Sequence, residues 1–408
     1  MAKPAKPKSA KRTAKKPAAK PAAVRFVFSE KQEMLRDSAR KFLAARFPTT
    51  HVRELMETPN AHDADAWRSM GELGWHGLLI PEEQGGVGLD LFDLGFLLEE
   101  MGAAVMAGPY LAAQLAVLVL ARAANDKQKA AWFPGIAEGA CIPTLALFED
   151  GAGFDVGFGA KAKATVSKGH ALSGTKRHVL DAPNATHFVV SASAGTAPTL
   201  FWVDASSSGI TVIPDKLADE TRRTGTVIFK NVKVAAKNRI GSPGRGAALV
   251  AKALPSVWCA VASEGVGAAH AVFQATVRYA RMREQFGKPI GSFQGIKHRL
   301  VDRMVELENA RSLLYGALWA QVHEPERAER LARMAKAYIS DVGPQIADTA
   351  VRTHGGIGFT WECDVHLHWK RLHWGQMAFG DGAYHRQWIA SDLQRSLKPK
   401  GGPTPTGV

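Results

Sequence analysis

The hydrophobic periodicity changes twice along the 408 residues of this chain, and the order of the three stretches limits the folds that it can adopt. A helical period runs to about residue 140 and starts at a capping box over residues 29–32. Short runs rich in Val, Phe, Ile and Thr follow between residues 187 and 234, which is typical of antiparallel strands. The helical period returns from about Gly246. The pattern predicts an α+β protein with helices on both sides of a β region.

One apolar stripe in the last stretch predicts a long helix with a single buried face. Its members are three or four residues apart: Ile296, Leu300, Met304, Leu307, Ala310, Leu314 and Leu318. A further helix is predicted over residues 330–353, with a break at Gly343-Pro344 because proline removes a helical hydrogen bond.

Residues 1–23 contain eight Lys and Arg side chains and no acidic residue, whereas the whole chain has a net charge of +14. Four prolines interrupt this segment, so we expect a disordered basic tail. A solvated tail is the simpler interpretation. The alternative is a weak, salt-sensitive arm for polyanions, because cations release counterions from nucleic acid without reading its sequence. We predict no specific nucleic-acid partner, and a second tail, rich in Pro and Gly, over residues 397–408.

The cysteines and the lengths of the apolar runs indicate the cellular compartment in which we expect the protein. Cys141, Cys259 and Cys363 form no CxxC pair, which fits a reducing cytoplasm. The longest largely apolar run, residues 111–121, is too short to span a bilayer, and we find no secretory signal. Three histidines close to Cys363 have a spacing that does not place them on one helical face, so we predict no metal site; they are His366, His368 and His373.

Three sequence blocks resemble the acyl-CoA dehydrogenase family of flavoproteins. Residues 279–294, YARMREQFGKPIGSFQ, closely resemble the motif of the family's C-terminal domain. Residues 78–89, LLIPEEQGGVGL, are similar to its N-terminal loop, and residues 354–362, HGGIGFTWE, to its glycine-rich segment near the C-terminus. The likeness covers about residues 26–395 and keeps the order of the family's blocks.

The resemblance implies an architecture and a cofactor. It implies an N-terminal α-helical domain (24–140), a middle antiparallel β domain (141–240) and a C-terminal four-helix-bundle domain (241–396). The implied cofactor is FAD, and a guanidinium fork suits its diphosphate. Its diphosphate and adenosine half would be met by Arg283, Phe286 and Gln294, and the backbone of the neighbouring subunit would approach it at Gly355, Gly356 and Gly358.

The resemblance also implies a reaction and partners. The substrate would be an acyl-CoA thioester, from which a base removes the α-proton while the β-hydrogen leaves as hydride to the flavin. Because such a cofactor site is shared between chains, we expect a homo-oligomer or a heterotetramer with a second acyl-CoA dehydrogenase subunit. The expected electron acceptor is an electron-transfer flavoprotein.

This chain departs from the family at both positions that usually carry the catalytic glutamate. Counting along the motifs places Phe379 at the first position and Val257 at the second. The nearest carboxylates are Asp381, our candidate for the base, and Glu264. Asp381 could instead cap a turn or pair with Arg386. Glu264 could instead be a charge on a helix surface or a partner of one of two arginines, Arg299 and Arg303.

Positions that face the flavin in the family differ as well. Phe148 and Phe154 stand where the family has hydroxyl side chains, and Arg352 replaces a glutamine. Residues 177–180 lack the expected Trp and Thr. Each change removes one neutral hydrogen bond, on the order of 1 kcal/mol. Two hypotheses follow: a self-sufficient dehydrogenase with an unconventional base, or a subunit whose partner supplies the base and most flavin contacts.

Overall fold

The structure, a computed structural model, describes residues 28–164 and 169–397. The predicted tail 1–23, and all of the predicted tail 397–408 except its first residue, lie outside the described residues. The order of helices, strands and helices predicted from the periodicity is confirmed.

The first part of the chain is helical. Ser29 accepts from the backbone N–H of Gln32, and the Gln32 side chain accepts from the backbone of Ser29, so the predicted capping box is confirmed. The helices of this part are α1 (Glu30–Arg46), α2 (Thr49–Met56), α3 (Ala64–Glu72), α4 (Leu91–Ala103), α5 (Tyr110–Ala123) and α6 (Asp126–Ala137).

The middle part is an eight-stranded sheet in the order β6-β7-β3-β2-β4-β5-β8, with β1 paired to β4. Its strands are β1 (Pro143–Ala146), β2 (Lys161–Ala164), β3 (His170–Leu180), β4 (His187–Ala194), β5 (Ala197–Asp204), β6 (Ile210–Pro214), β7 (Thr224–Val234) and β8 (Arg239–Ile240). Most pairs are antiparallel as expected. However, β1 and β2 both run parallel to β4, which the strand pattern did not indicate.

The last part is a bundle that packs against the N-terminal helices through α4 and α7. Between α7 and α8 lies a short hairpin, β9 (Glu284–Gln285) and β10 (Lys288–Pro289). The helices are α7 (Gly246–Met282), α8 (Gln294–His323), α9 (Pro325–His354), α10 (Val365–Met377) and α11 (Gly382–Leu397). One hydrophobic core joins both helical parts to one face of the sheet, and a second core covers the other face.

The predicted break at Gly343-Pro344 is wrong, because α9 continues through Pro344. Both residues are buried between neighbouring helices of the bundle, and this packing outweighs the hydrogen bond that proline removes. The predicted stripe on α8 is buried at most positions, but Met304 is 46% exposed. Val301 and Val305 are exposed beside it, so α8 presents an apolar patch to solvent.

Helix α7 is, among the described residues, the helix long and apolar enough to cross a membrane. In its most apolar stretch, 67% of the residues are buried inside the fold, as expected of a core helix.

Candidate active site and cofactor surface

An open cavity of about 630 Å³ lies between the sheet and α10, a size typical of small-molecule sites. Phe148 and Phe154, two of the positions that differ from the family, line it together with Arg177, His178 and Leu180 of β3. Most of the positions at which the sequence departs from the family pattern therefore lie together in the fold, whereas Arg352 and Val257 do not line this cavity. The opposite wall comes from α10 and the segment after it, and consists of Trp369, Lys370, His373, Trp374, Met377, Ala378 and Phe379.

Phe148 and Phe379 meet edge to face inside this cavity, with their ring centroids 5.3 Å apart. Both rings also line a second space of only about 10 Å³ toward α5 and β1. A space of this size holds about one water molecule and no acyl chain. The residue at the family's first base position therefore contributes an aromatic ring to the wall between these two spaces and carries no proton acceptor.

Phe379 has a backbone φ of 56°, which is rare for a bulky residue and costs on the order of 1–3 kcal/mol. The turn that contains Phe379 is anchored by hydrogen bonds from Lys336, a residue of α9. The Lys336 ammonium donates to the carbonyl of Gly380 at 2.7 Å and to that of Gln376 at 3.3 Å. Burial lowers the pKa of Lys336 to about 7. The turn that carries Phe379 is thus anchored by a buried polar contact on either side of it.

Two carboxylates in the cavity wall are engaged by neighbouring cations. Lys176, which is fully buried, donates to Glu149 at 2.5 Å, and the N–H groups of Gly159 and Ala160 also donate to Glu149. Burial opposes ionisation of Glu149, but these donors outweigh it and lower its pKa. Asp150 pairs with Arg177 at 2.8 Å.

The third carboxylate in the wall, Asp219, belongs to a buried ionic cluster. Arg371 donates to Asp219 at 2.9 Å and to Glu264 at 3.1 Å, and Arg222 also pairs with Glu264. Arg371 further donates to the carbonyl of Met106 in the N-terminal part. The expectation that Glu264 lies on a helix surface or pairs with an arginine of α8 is wrong, because the fold turns it inward between two other arginines.

Asp381, the candidate base, lies outside the set of residues that line the cavity. Its carboxylate accepts from the backbone N–H of Tyr384 at 2.8 Å, three residues on, as an N-cap of α11 does. The alternative that Asp381 caps a turn is confirmed. The pairing with Arg386 is wrong, since Arg386 pairs with Asp341. A role for Asp381 as the base stays a prediction.

The two cofactor motifs lie next to each other because the ends of α7 and α9 meet. The ring of Tyr279 stacks on that of His354 with centroids 4.2 Å apart, and its hydroxyl donates to the His354 carbonyl at 3.4 Å. This contact places the hairpin after α7 beside the glycine segment after α9 of the same chain. The approach of the glycine segment to a cofactor of the neighbouring subunit stays a prediction.

Phe286 occupies the tip of the hairpin between β9 and β10. Phe286 and Gly287 both have positive φ, as a two-residue type I′ turn requires, although this conformation is unfavourable for phenylalanine. The ring is 93% exposed. Arg283 and Gln294 are exposed on either side, and neither side chain has a hydrogen-bond or ion-pair partner in residues 28–164 and 169–397. The strained turn thus displays an aromatic ring beside an unpaired guanidinium.

The three glycines have different reasons to be glycine. A Cβ on Gly358 would lie 2.7 Å from the Val351 carbonyl oxygen, so the fold itself requires this glycine. Gly355 has a φ of 65°, which favours glycine. Gly356 has neither reason, since a Cβ there would meet nothing within 4 Å. Its small size leaves room for a group from outside the chain.

These residues fit the two ends of FAD differently. An exposed ring, an unpaired guanidinium and an open glycine segment suit the adenosine and diphosphate end. The cavity is large enough and apolar enough for the isoalloxazine ring. However, Phe148 and Phe154 supply no hydrogen bond to its polar edge. The chain fits the cofactor, and more completely at its adenosine end.

The α10 wall of the cavity is the part of the site that sequence reasoning missed. On this wall the rings of Trp369 and His373 lie with their centroids 3.8 Å apart and their planes tilted by 32°. His368 does not line the cavity and is buried against the Ala103 carbonyl. The available signal was the group of Trp and His residues along residues 361–374, which we considered only as a possible metal site. No group of three His, Cys, Asp or Glu side chains in the described part of the chain is arranged to bind a metal ion.

Comparisons with known proteins agree with these blocks. The sequence matches two family profiles, "Acyl-CoA dehydrogenase, N-terminal domain" over residues 29–140 and "Acyl-CoA dehydrogenase, C-terminal domain" over residues 244–394. It is 30% identical over 347 residues to the probable acyl-CoA dehydrogenase YngJ of Bacillus subtilis, covering 82% of this chain and 89% of that protein.

A second relative and a solved structure belong to complexes. CarC, a subunit of the caffeyl-CoA reductase–Etf complex of Acetobacterium woodii, is 30% identical over 348 residues, covering 83% of this chain and 91% of CarC. A chain of the ChsE4–ChsE5 complex of Mycobacterium tuberculosis has a similar structure, with a TM-score of 0.83 and 26% identity. That match covers 93% of this chain and 100% of the other.

Proposed function

Because the chain belongs to the acyl-CoA dehydrogenase family of FAD-dependent oxidoreductases, we propose that it is one subunit of a hetero-oligomeric acyl-CoA dehydrogenase. The assembly would carry out α,β-dehydrogenation of an acyl-CoA thioester. The second chain would supply the base that removes the α-proton.

One observation carries this proposal: the contact between Phe148 and Phe379 in the cavity. A Cα–H bond is a poor acid, so its deprotonation needs a carboxylate held within reach in a water-poor pocket. In this chain the ring of Phe379 occupies the first base position. The three carboxylates of the wall are all engaged by cations, namely Glu149, Asp150 and Asp219.

The residues of this chain would have binding and positioning roles. Arg283 would pair with the diphosphate of FAD, Phe286 would cover its adenosine, and Gly356 would allow close approach of the backbone. The bound flavin would supply the hydride acceptor. Lys176 and Arg371 would keep the cavity wall in place through the carboxylates that they neutralise.

The comparisons support assembly with other chains. The ChsE4–ChsE5 structure is that of a complex between two differently named components, and CarC is a subunit of a complex with Etf. We therefore propose a second dehydrogenase subunit as the immediate partner and an electron-transfer flavoprotein as the electron acceptor. We also propose that the assembly acts in the cytoplasm, where the three free cysteines would stay reduced.

Isolation of the chain with and without its partner tests the proposal. Purified alone and incubated with FAD, the chain should show no bleaching of the flavin absorbance when acyl-CoA thioesters are added without oxygen. A tagged chain purified from its own cells should bring down, in equal amounts, a second family member with a glutamate where this chain has Phe379 or Val257. The flavin absorbance of that complex should bleach when acyl-CoA thioesters are added. Bleaching by the isolated chain would instead establish the self-sufficient enzyme.

A further inference from the structure

The rings of Phe148 and Phe379 stand between two spaces of the fold, and we call this pair of rings the phenylalanine gate. The larger space is the cavity of about 630 Å³ described above, and the smaller one has about 10 Å³. Four residues line both spaces and form a partition between them: Phe148, His178, Leu180 and Phe379. The other residues around the small space belong to α5 and β1, and they are Ala112, Leu115, Thr144 and Leu145. An opening of the gate would join the two spaces.

The small space is apolar on the side of α5 and β1. Ala112, Leu115 and Leu145 are buried there. Thr144 is the polar residue on this side, and its hydroxyl already donates to the carbonyl of Leu180 at 2.5 Å. A water molecule needs two or more polar partners, whereas a methylene group gains free energy from burial among apolar side chains. The region behind the gate therefore suits hydrocarbon better than water.

The large cavity is charged toward solvent and apolar toward the gate. Asp150 is exposed, and it pairs with the partly exposed Arg177 at 2.8 Å. Leu180, which shares the partition with the gate, is buried. An acyl-CoA thioester has the same asymmetry, because its nucleotide end is charged and its acyl end is hydrocarbon. We therefore expect the acyl end to meet the rings of the gate.

The backbone is fixed on both sides of the gate. Phe379 has a φ of 56° and His178 a φ of 52°, so two of the four residues of the partition lie in a region that residues other than glycine rarely adopt. Such strained residues are concentrated at active sites and ligand clamps. The carbonyl of Phe148 accepts from the backbone N–H of Arg177 at 2.9 Å. Because Lys336 anchors the turn of Phe379 as well, the fold holds both rings at this position.

We propose that the phenylalanine gate limits the length of the acyl chain that the cavity accepts. With the rings in contact, a short acyl group ends at the gate, and a longer one has no room because the space behind the gate holds about one water molecule. The family pattern has a hydroxyl side chain and the glutamate at these two positions, so the gate is a feature of this chain. The proposal deepens the proposed function and rests on it for the ligand, an acyl-CoA thioester.

Calorimetric titration of the full chain, in the presence of FAD, with but-2-enoyl-CoA and oct-2-enoyl-CoA tests the gate. Both thioesters already carry the α,β double bond, so their binding is measured without dehydrogenation. The unmodified chain should bind the shorter thioester about tenfold or more tightly than the longer one. Phe379→Gly removes a ring at a positive φ that glycine adopts readily. It should tighten binding of the longer thioester about tenfold or more, because each methylene that becomes buried contributes about fourfold.

Phe148→Ala removes the other ring and should change binding in the same direction, whereas Leu73→Ala, at an exposed site after α3, should leave both dissociation constants unchanged. The thermal midpoint shows whether each variant is folded. Three outcomes would overturn the proposal: equal or tighter binding of the longer thioester by the unmodified chain, no gain in either folded gate variant, or no binding of either thioester by the unmodified chain. Binding of these thioesters needs no base, so a failure here is separate from a failure of the flavin-bleaching experiment.

Discussion

Arg371 on α10 and Glu264 on α7 form an ion pair at 3.1 Å in the interior of the fold, and both side chains are almost completely buried. Arg222 pairs with the same carboxylate, so Glu264 lies between two guanidinium groups, and Asp219 supplies a second negative charge to Arg371. A carboxylate in this position stabilises the junction between the sheet and the bundle and is not available as a proton acceptor.

Glu264→Ala should therefore lower the stability of the folded chain. Breaking a buried pair by removing one partner leaves uncompensated charge, which costs about 3–5 kcal/mol in the free energy of unfolding. Urea denaturation checks this value, with Glu326→Ala, at an exposed site on α9, as the control that stays within about 0.5 kcal/mol. A stable Glu264→Ala protein would contradict the structural role.

Because Asp381 caps α11, two substitutions at this position should differ in their effect on the free energy of unfolding. Asp381→Ala removes the acceptor for the Tyr384 N–H and should lower the free energy of unfolding by about 1 kcal/mol. Asp381→Asn keeps an N-cap acceptor and should be nearly as stable as the unmodified chain. The partner complex carrying Asp381→Asn should still bleach with acyl-CoA. Loss of bleaching without loss of stability would identify Asp381 as the base.

Substitution by alanine should have different effects at Gly356 and at Gly358, two glycines of the same segment. Gly356→Ala places a methyl group in open space and should leave the thermal midpoint unchanged, while the partner complex retains less FAD after gel filtration. Gly358→Ala brings a methyl group to 2.7 Å from a backbone oxygen and should lower the thermal midpoint. Equal FAD retention by Gly356→Ala would contradict the approach of a cofactor at this segment.

Glu99 on α4 predicts a pH dependence of stability. Burial raises its pKa to about 7, although Arg36 at 3.6 Å and Arg311 at 4.0 Å oppose this shift. The hydroxyl of Tyr315 at 3.4 Å and the carboxylate of Glu100 complete its surroundings. In the unfolded chain a glutamate ionises near pH 4.3, so between about pH 4.3 and 7 the folded state holds an extra proton. Over that window this group contributes less stability as pH rises.

Glu99→Gln should remove this dependence. Relative to the unmodified chain, its free energy of unfolding should rise by about 2 kcal/mol between pH 5 and pH 7.5. Urea denaturation at both pH values measures the difference, with Glu326→Gln as the matched control. A difference that does not change with pH would show that Glu99 is ionised throughout this range in the folded protein.

Local patterns predicted the order of the elements well, because capping and apolar spacing act within a few residues. The capping box at Ser29 and most of the α8 stripe follow from such patterns. They failed where tertiary packing decides the outcome. Pro344 stays inside α9, where it is buried in a helix that packs against four others, and Met304 is exposed. The parallel pairing of β1 with β4 depends on contacts between distant segments, which periodicity does not encode.

For the site, motif spacing indicated where the chain departs from its family but not what the departures do together. Phe148 and Phe379 are 231 positions apart, and only the fold shows that their rings meet. Likewise, nothing in the spacing around Glu264 indicated that it would pair with Arg371 and Arg222. The contact of Tyr279 with His354 explains physically why two motifs far apart in sequence form one surface.

The most direct test compares the isolated chain with its Phe379→Glu variant, each incubated with FAD and mixed without oxygen with acyl-CoA thioesters of several chain lengths. Loss of the absorbance of the oxidised flavin reports its reduction. The unmodified chain should keep its flavin oxidised with every thioester, because the base is proposed to belong to the partner chain. Rapid bleaching by the unmodified chain would contradict the account, because it would place a working base within this polypeptide.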